Sequence, residues 1–382
     1  MRYLLTLRAA CLAALVWALV APFATGQDEP KEKAKDQPAK ENQPADKPAA
    51  GEQPAKTEET AKADPAAQEK TTLAKHDRWV TGVAFLSNEE LVSVGGQTLL
   101  YRPGDVIRWN VVDGTEKGRL SGHEATVWAV AASNDGKLLA TASYDGAVKI
   151  WDLAEAKLKH DLKKHKGWAR CVAFSADGKQ LASGSEDSTV VIWNVDDGKE
   201  IKTLNAHTGP VFGVAFLPDN KTLATAGGDK LAKLWDVESG AEKAKLEGHS
   251  DAVWSIAVNK DGSLLATGGV DRTVKLWNAE GKEQATLAGH KDWVTSVAFS
   301  SDGAQLISGS YDRTAKIWDV GQKKWDVGQK KEVTSIGPVK TSIWSVAFSP
   351  DGKLIAVGSH NRLSIWEYSP KERFPAPEPA AE

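Results

Sequence analysis

Five sets of histidine, serine or threonine, aspartate and tryptophan recur along the chain at nearly fixed spacing. A hydroxyl, an imidazole and a carboxylate in one set are the residue types of a hydrolase with an activated hydroxyl nucleophile. Five equivalent copies point to architecture instead, so we predict a structural role for these sets and no catalytic residue. The sets are His123, Thr141, Asp145 and Trp151; His165, Ser183, Asp187 and Trp193; His207, Thr225, Asp229 and Trp235; His249, Thr267, Asp271 and Trp277; and His290, Ser308, Asp312 and Trp318.

The side chains of one set have complementary hydrogen-bonding chemistry. An indole N–H only donates, a hydroxyl donates and accepts, and an imidazole passes the chain of bonds on to a carboxylate. A fully satisfied network of this kind fixes the register between neighbouring strands.

Other patterns that suggest site chemistry have simpler explanations. The repeated Asp-Gly pairs, such as Asp302-Gly303, lack the alternating carboxylates of a calcium loop and are hairpin signals. The sequence contains no Gly-rich phosphate loop, no His-Glu-x-x-His and no Cys-x-x-Cys. Its two cysteines, Cys11 and Cys171, exclude a disulfide framework and a Cys-based zinc cluster. We therefore expect no metal and no cofactor.

Composition indicates a soluble globular chain with a repeated motif. Of the 382 residues, 41% are hydrophobic and 26% are charged, and the 15 Trp outnumber the 8 Phe and 5 Tyr together. The formal net charge of −3 provides no basic field, which argues against nucleic acid as a partner.

The elements that position the five sets follow from the repeat itself. The histidines are 42, 42, 42 and 41 residues apart, and each is followed 28 residues later by its tryptophan. Between them lie short apolar runs, such as Val294–Phe299, that are separated by turn residues. A period near 42 with four short strands per unit is typical of a β-propeller. The Gly-His and Trp-Asp pairs, such as Gly289-His290 and Trp318-Asp319, resemble those of the WD40 family over about Thr71–Tyr368.

Two further copies of the repeat are degenerate. The first runs from His76 to Trp109 and carries an insertion in Val94–Asp105. The last ends at Trp366, has Val339 where histidine is expected and Val357 where the hydroxyl is expected. A verbatim repeat of residues 318–324 as 325–331 explains its longer spacing, and makes Trp325 an inserted copy rather than an eighth unit.

Seven copies predict an all-β fold, a single seven-bladed WD40-type propeller. The resemblance implies that the four residues of each set form a buried hydrogen-bond tetrad within one blade. It also implies that the first strand of the domain, near Thr71, closes the ring as the outer strand of the last blade. All strands then have partners, and only short outer edges face solvent.

Six tryptophans that are not blade markers cluster at two repeat positions, three and five residues after the histidine position. In the resembled family these positions, with the residue before the tetrad aspartate, surround the channel mouth on the partner-binding face. Aromatic side chains and arginine are typical of binding hot spots. The alternative is that some of these rings only fill gaps between blades. The predicted partner-binding residues, which include two from the insertion in the first blade, are Trp79, Thr81, Tyr101, Arg102, Trp128, Tyr144, Trp168, Arg170, Glu186, Phe212, Trp254, Trp293, Tyr311, Trp344 and His360.

The sequence thus predicts a non-enzymatic scaffold that binds a protein or peptide partner through this face. A carbohydrate or another small ligand on the same face is one alternative, because exposed tryptophans stack on sugars. A propeller enzyme is the other, and its nearest candidates, Arg170, Glu186 and His360, have no obvious nucleophile beside them. The fold alone does not decide among these.

The two ends of the chain are expected to lie outside the propeller. Residues 1–26 have the basic start, apolar run and small residues of an export signal. Residues 27–70 contain no large apolar residue and are predicted to be a disordered linker, and residues 369–382 a disordered tail. We expect a monomeric propeller in the periplasm or outside the cell, with no membrane insertion after signal cleavage. An uncleaved signal anchor is the alternative.

Overall fold

The computed structural model describes residues 67–73, 76, 79–96, 102–321 and 332–369. These residues form 28 β-strands in seven antiparallel four-stranded sheets and no helix, so none of them forms a helix that could cross a membrane. The predicted all-β fold with seven blades is confirmed. The export signal, most of the linker and the tail fall outside the described residues, as do Tyr101 and the duplicated Trp325.

Each blade consists of four strands that run in chain order from the channel outward. Blade one contains β2 (Trp79–Phe85), β3 (Glu90–Gly96), β4 (Asp105–Asn110) and β5 (Glu116–Arg119). Blade two contains β6 (Val127–Ala132), β7 (Leu138–Ser143), β8 (Val148–Asp152) and β9 (Lys157–Leu162). Blade three contains β10 (Ala169–Phe174), β11 (Gln180–Ser185), β12 (Thr189–Asn194) and β13 (Glu200–Asn205). Blade four contains β14 (Val211–Phe216), β15 (Thr222–Gly227), β16 (Ala232–Asp236) and β17 (Glu242–Leu246).

The remaining three blades follow the same order, except that the last takes one strand from the start of the domain. Blade five contains β18 (Val253–Val258), β19 (Leu264–Gly269), β20 (Thr273–Asn278) and β21 (Glu283–Ala288). Blade six contains β22 (Val294–Phe299), β23 (Gln305–Ser310), β24 (Ala315–Asp319) and β25 (Glu332–Ile336). Blade seven contains β26 (Ile343–Phe348), β27 (Leu354–Ser359), β28 (Arg362–Tyr368) and, outermost, β1 (Ala67–Leu73).

The pairing of β1 with β28 closes the ring, as predicted. Ala67 lies opposite Tyr368 and Leu73 lies opposite Leu363. The strand begins four residues before the expected linker boundary, so Ala67–Lys70 belong to the propeller and not to the linker. Composition could not reveal this because an outermost strand has solvent on one side. Its middle residues are largely exposed, and only Ala67 and Leu73 at its two ends are buried.

In five blades an Asp-Gly pair forms the tight turn between the first and second strands. In blade six the Ser300 hydroxyl donates to Asp302 Oδ1 at 2.6 Å, and the Gly303 N–H donates to the Ser300 carbonyl at 2.8 Å. Gly303 has φ +69°, a left-handed conformation that glycine adopts without steric cost. The aspartates of these turns therefore have a structural role.

The hydrophobic core lies between adjacent blades rather than in one central mass. One cluster joins Val274 and Leu276 of blade five to Val294 and Leu306 of blade six, and Trp318 packs in the same cluster. Each repeat thus buries its apolar face against its neighbour. This arrangement makes the closed ring the unit of stability.

Candidate functional site

The structure brings the four residues of each of the five sets together inside one blade. The tryptophan Nε1–H donates to the hydroxyl at 2.8 to 3.0 Å, and the histidine Nε2 lies 2.7 to 2.8 Å from the same oxygen. The histidine Nδ1 lies 2.8 to 2.9 Å from the aspartate in four sets. The fifth pair, His165 and Asp187, is 3.4 Å apart.

The direction of each bond in a tetrad follows from its two ends, because the indole N–H only donates and the ionised carboxylate only accepts. A neutral histidine therefore donates from Nδ1 to the aspartate and accepts at Nε2 from the hydroxyl. The hydroxyl in turn accepts from the indole. All five hydroxyls have no exposed surface, which leaves no path for a substrate to reach them. This geometry fits a structural role and not a nucleophilic one.

The tetrad aspartates are held in their ionised form. Burial raises the pKa of Asp271, but hydrogen bonds from His249, Thr273 and a backbone N–H outweigh it and leave that pKa well below its usual range. The same balance lowers the pKa of Asp145, Asp187, Asp229 and Asp312. The negative end of each network is thus fixed at neutral pH.

Blade one, whose repeat copy is degenerate in sequence, contains three hydrogen-bonded members of a sixth set. His76 Nε2 lies 2.6 Å from Ser93 Oγ, which also accepts from Trp109 Nε1 at 2.7 Å. Asp105 Oδ2 lies 3.6 Å from His76 Nδ1, too far for a hydrogen bond, and this nitrogen has no hydrogen-bond partner among the described residues. The insertion hid this set because Asp105 precedes its tryptophan by four residues instead of the usual six.

Blade seven has no tetrad among its described residues. Val357 replaces the hydroxyl, and Trp366 Nε1 donates instead to Ser364 Oγ at 3.0 Å in its own strand. The turn between β27 and β28 is shorter than in blade six, since Ser359 pairs directly with Arg362. Asn361 lies in this turn at φ +59° and is therefore a turn residue, not an equivalent of the tetrad aspartate.

The predicted aromatic residues form a continuous band around the channel mouth, which we call the aromatic collar. Neighbouring members have ring centroids 4.1 to 6.0 Å apart, and all seven blades contribute rings to these contacts. Trp128 contacts both Tyr144 and Trp344, which links blade two to blade seven. The collar comprises Trp79, Trp128, Tyr144, Trp168, Phe212, Trp254, Trp293, Tyr311 and Trp344.

Arg170 lies inside the collar and is surrounded by its rings. The guanidinium carbon is 4.5 Å from the Trp128 ring centroid and between 5.6 and 6.0 Å from four more rings. Glu186 Oε1 accepts from Arg170 Nε at 2.9 Å and from Nη2 at 2.5 Å. A cation over aromatic faces is electrostatically attracted to them, so Arg170 stabilises the collar as well as pairing with Glu186.

Exposure divides the predicted binding residues. Trp168 has 38% of its surface exposed, whereas Trp79 and Trp128 have 7% and 9%. Five predicted residues are partly exposed around the rim, namely Trp254, Trp293, Tyr311, Trp344 and Glu186. Tyr144 and Phe212 are buried, His360 is partly exposed next to Trp79, and Arg102 is exposed. The collar is thus a packed layer with an accessible outer edge.

Thr81 differs from the expectation for a binding residue. It is buried, and its hydroxyl donates to the carbonyl of Val127 in blade two at 2.5 Å. Thr295 makes the equivalent bond to Ile343 in blade seven at 2.8 Å. Both threonines join adjacent blades, a role that spacing alone could not distinguish from ligand contact.

A cavity of about 210 Å³ lies in the channel below the collar. Every residue five places after the histidine position lines it, including Trp128, Arg170, Phe212, Trp254 and Trp344. Cys171 is the next residue along its strand; burial raises the pKa of its thiol to about 12, so the thiol is uncharged. Among the described residues no three metal-binding side chains converge.

Comparison with known protein families gives two matches. Residues 114–152 and 156–194 each match the model of the WD domain, G-beta repeat, and residues 210–375 match the model of the IFT122 first beta-propeller. No curated protein matches the chain. The two repeat matches extend from β5 to β12, and the propeller match extends from β14 to β28. Together with the seven four-stranded blades, these matches show a seven-bladed β-propeller that carries WD40 repeats.

Proposed function

We propose that this protein is an exported, non-enzymatic scaffold that captures a protein or peptide partner on the aromatic collar. WD40 propellers are commonly protein-interaction scaffolds and are typically not enzymes. The observation that carries the proposal is the collar itself, in which nine aromatic rings and one ion pair meet at one end of the channel.

The collar supports a protein partner because its rings are already ordered. Trp254, for example, stacks on Phe212 with centroids 4.4 Å apart, so little side-chain freedom remains to be lost when a partner binds. Partly exposed tryptophans with a nearby arginine are the composition of an energetic hot spot. The sequence net charge of −3 gives no reason to prefer nucleic acid.

The positions of the ends of β1 and β28 leave the collar face accessible. β1 starts at Ala67, which lies opposite Tyr368 near the end of β28. The Tyr368 N–H donates to the carbonyl of Lys353. Lys353 follows the Asp-Gly turn between β26 and β27, at the end of the blade away from the collar. The chain therefore enters and leaves the propeller on the face opposite the collar. A tether formed by the proposed signal and linker would leave the collar accessible.

Alanine variants at the outer edge of the collar test this function. Trp168→Ala together with Trp293→Ala should weaken capture of the partner at least about tenfold, the scale of an aromatic hot spot. Val112→Ala is the matched control, because Val112 is 64% exposed in the turn between β4 and β5, away from the collar. The partner is first identified by crosslinking and affinity purification of the exported protein, and then titrated against each variant.

Unchanged affinity in the double variant would remove the collar from partner capture. Binding of the wild type to a saccharide array, with no protein recovered, would instead favour the carbohydrate alternative.

A further inference from the structure

The channel cavity has an unusual charge distribution for so small a space. Arg170 is the single charged residue among the described residues that line it, and no acidic residue is among them. Deeper in the channel the wall is formed by small residues, including Ala129, Gly213, Ser255 and Ser296. The cavity therefore combines room for a small group with a positive charge at its entrance.

The surroundings of Arg170 strengthen its electrostatic field in the cavity. Its side chain is 5% exposed and lies among aromatic rings, where a charge is screened less than in water. Its partner Glu186 has a side chain that is 25% exposed and is not part of the cavity wall. The Glu186 carboxylate thus balances the Arg170 charge from the rim, and the Arg170 guanidinium faces the channel.

Trp128 adds a hydrogen-bond donor that has no acceptor. The residue lines the cavity and is 9% exposed, and its buried Nε1 has no hydrogen-bond partner among the described residues. The tetrad tryptophans, in contrast, all donate to a hydroxyl. A buried donor without an acceptor is unfavourable, so an acceptor that enters the cavity would remove this cost.

We propose that the channel mouth binds a carboxylate group, with Arg170 supplying the charge and Trp128 the neutral donor. A carboxylate carries one negative charge and two acceptor oxygens, which match one guanidinium and one indole N–H. The proposal rests on the proposed function, because the captured partner is the source of the carboxylate. Its acidic side chain or its chain terminus inserts below the collar while the rest of the partner contacts the rings.

Sodium acetate is the probe, and indole N–H resonances of the ¹⁵N-labelled full-length chain are the signal. The spectrum of Trp128→Phe assigns the Trp128 resonance by its disappearance, and the tetrad indole signals report that each variant is folded. In the wild type the Trp128 signal should move and saturate with acetate, but not with sodium chloride at equal ionic strength. An acetate response that equals the chloride response overturns the proposal.

Two arginine variants test the site. Arg170→Met should weaken acetate binding at least about tenfold, since charge-assisted hydrogen bonds are the strong ones. Arg119→Met is the control, because Arg119 is an exposed arginine of β5 that pairs with Glu116 and does not line the cavity, and this variant should bind acetate as the wild type does. Wild-type acetate affinity in folded Arg170→Met contradicts the assignment.

Two larger probes distinguish the source of the carboxylate. N-acetylglycine carries only a terminal carboxylate, and the α-amide of N-acetylglutamic acid carries only a side-chain carboxylate. Tighter binding of either one supports the site and names the source, whereas binding of neither overturns it. Failure of the proposed function is recognised by a different result. In that case the folded double variant, Trp168→Ala with Trp293→Ala, would still capture the partner, whether or not acetate binds.

Discussion

At the scale of single residues, the hydroxyl of each tetrad has the most demanding position. Thr267 Oγ1 accepts from Trp277 at 2.8 Å and lies 2.7 Å from His249 Nε2, so one oxygen satisfies two buried partners. The chain offers a natural comparison in blade seven. There Val357 occupies the hydroxyl position and Val339 the histidine position, and Trp366 donates to Ser364 instead. The hydroxyl is needed only where both partners are buried.

Thr267→Val should lower the free energy of unfolding by about 2–4 kcal/mol, because it leaves two buried polar groups unsatisfied at nearly constant volume. Urea unfolding at pH 7 measures it. Thr203→Val is the control, since Thr203 is exposed and its hydroxyl bonds only to Glu200. This variant should change the free energy of unfolding by less than about 0.5 kcal/mol. Equal effects of the two substitutions would be inconsistent with the tetrad network.

The tetrad aspartates predict an acid-sensitive stability. Their pKa values are lower in the folded chain than in the unfolded chain, where an aspartate titrates near about 3.9. Their contribution is therefore fully present above that value and is lost as the pH falls through the folded pKa. Unfolding in urea between pH 6 and pH 2 should show a progressive loss of stability below about pH 5.

Asp271→Asn isolates one of these contributions. The variant should be less stable than the wild type at pH 7, and the difference should shrink as the pH falls, because the unfolded wild-type chain binds a proton at Asp271 that the folded chain does not. Asp196→Asn is the control, since Asp196 is exposed in the turn between β12 and β13, and its difference from wild type should not change with pH. A constant difference between Asp271→Asn and wild type across the pH range would contradict this linkage.

At the scale of elements, the closing strand determines how blade seven is completed. β1 is the outer strand of this blade, and without it the backbone groups of β28 would face solvent as an open edge. Ala67, Leu73 and Tyr368 are buried where the two strands meet. The four residues before Thr71 therefore belong to the ring, although their composition is that of a linker.

Two truncations test the closing strand. A chain that begins at residue 67 keeps β1 and should melt as the full-length chain does, whereas one that begins at residue 76 should melt at least about 5 °C lower and aggregate more readily. Scanning calorimetry and light scattering measure both effects. Equal melting temperatures would show that blade seven does not depend on β1.

At the scale of the whole molecule, the repeat predicted the fold and most of the site from sequence alone. Five tetrads were recognisable because the distance from histidine to tryptophan is 28 residues in each. The incomplete set in blade one was not recognisable, since the insertion moved Asp105 out of register and His76 Nδ1 has no hydrogen bond to it. The positions around the channel were predictable for the same reason. The exposure of Trp168 and the burial of Trp128 depend on rings from other blades, such as Trp344, and no local pattern carries that information.

The interpretation of the molecule as a scaffold depends on which face meets the partner. The collar lies on one face of the propeller, and the exposed Val112 lies in a turn on the opposite face. A reporter at each position therefore distinguishes the two faces. A photo-crosslinking amino acid at position 168 reports on the collar, and the same amino acid at position 112 reports on the opposite face.

The most direct measurement is the yield of partner crosslinked from each position in the exported full-length protein. We expect a partner band from position 168 that unlabelled wild-type protein competes away, and no such band from position 112. A partner captured equally from both positions, or only from position 112, would contradict the assignment of the aromatic collar as the binding face.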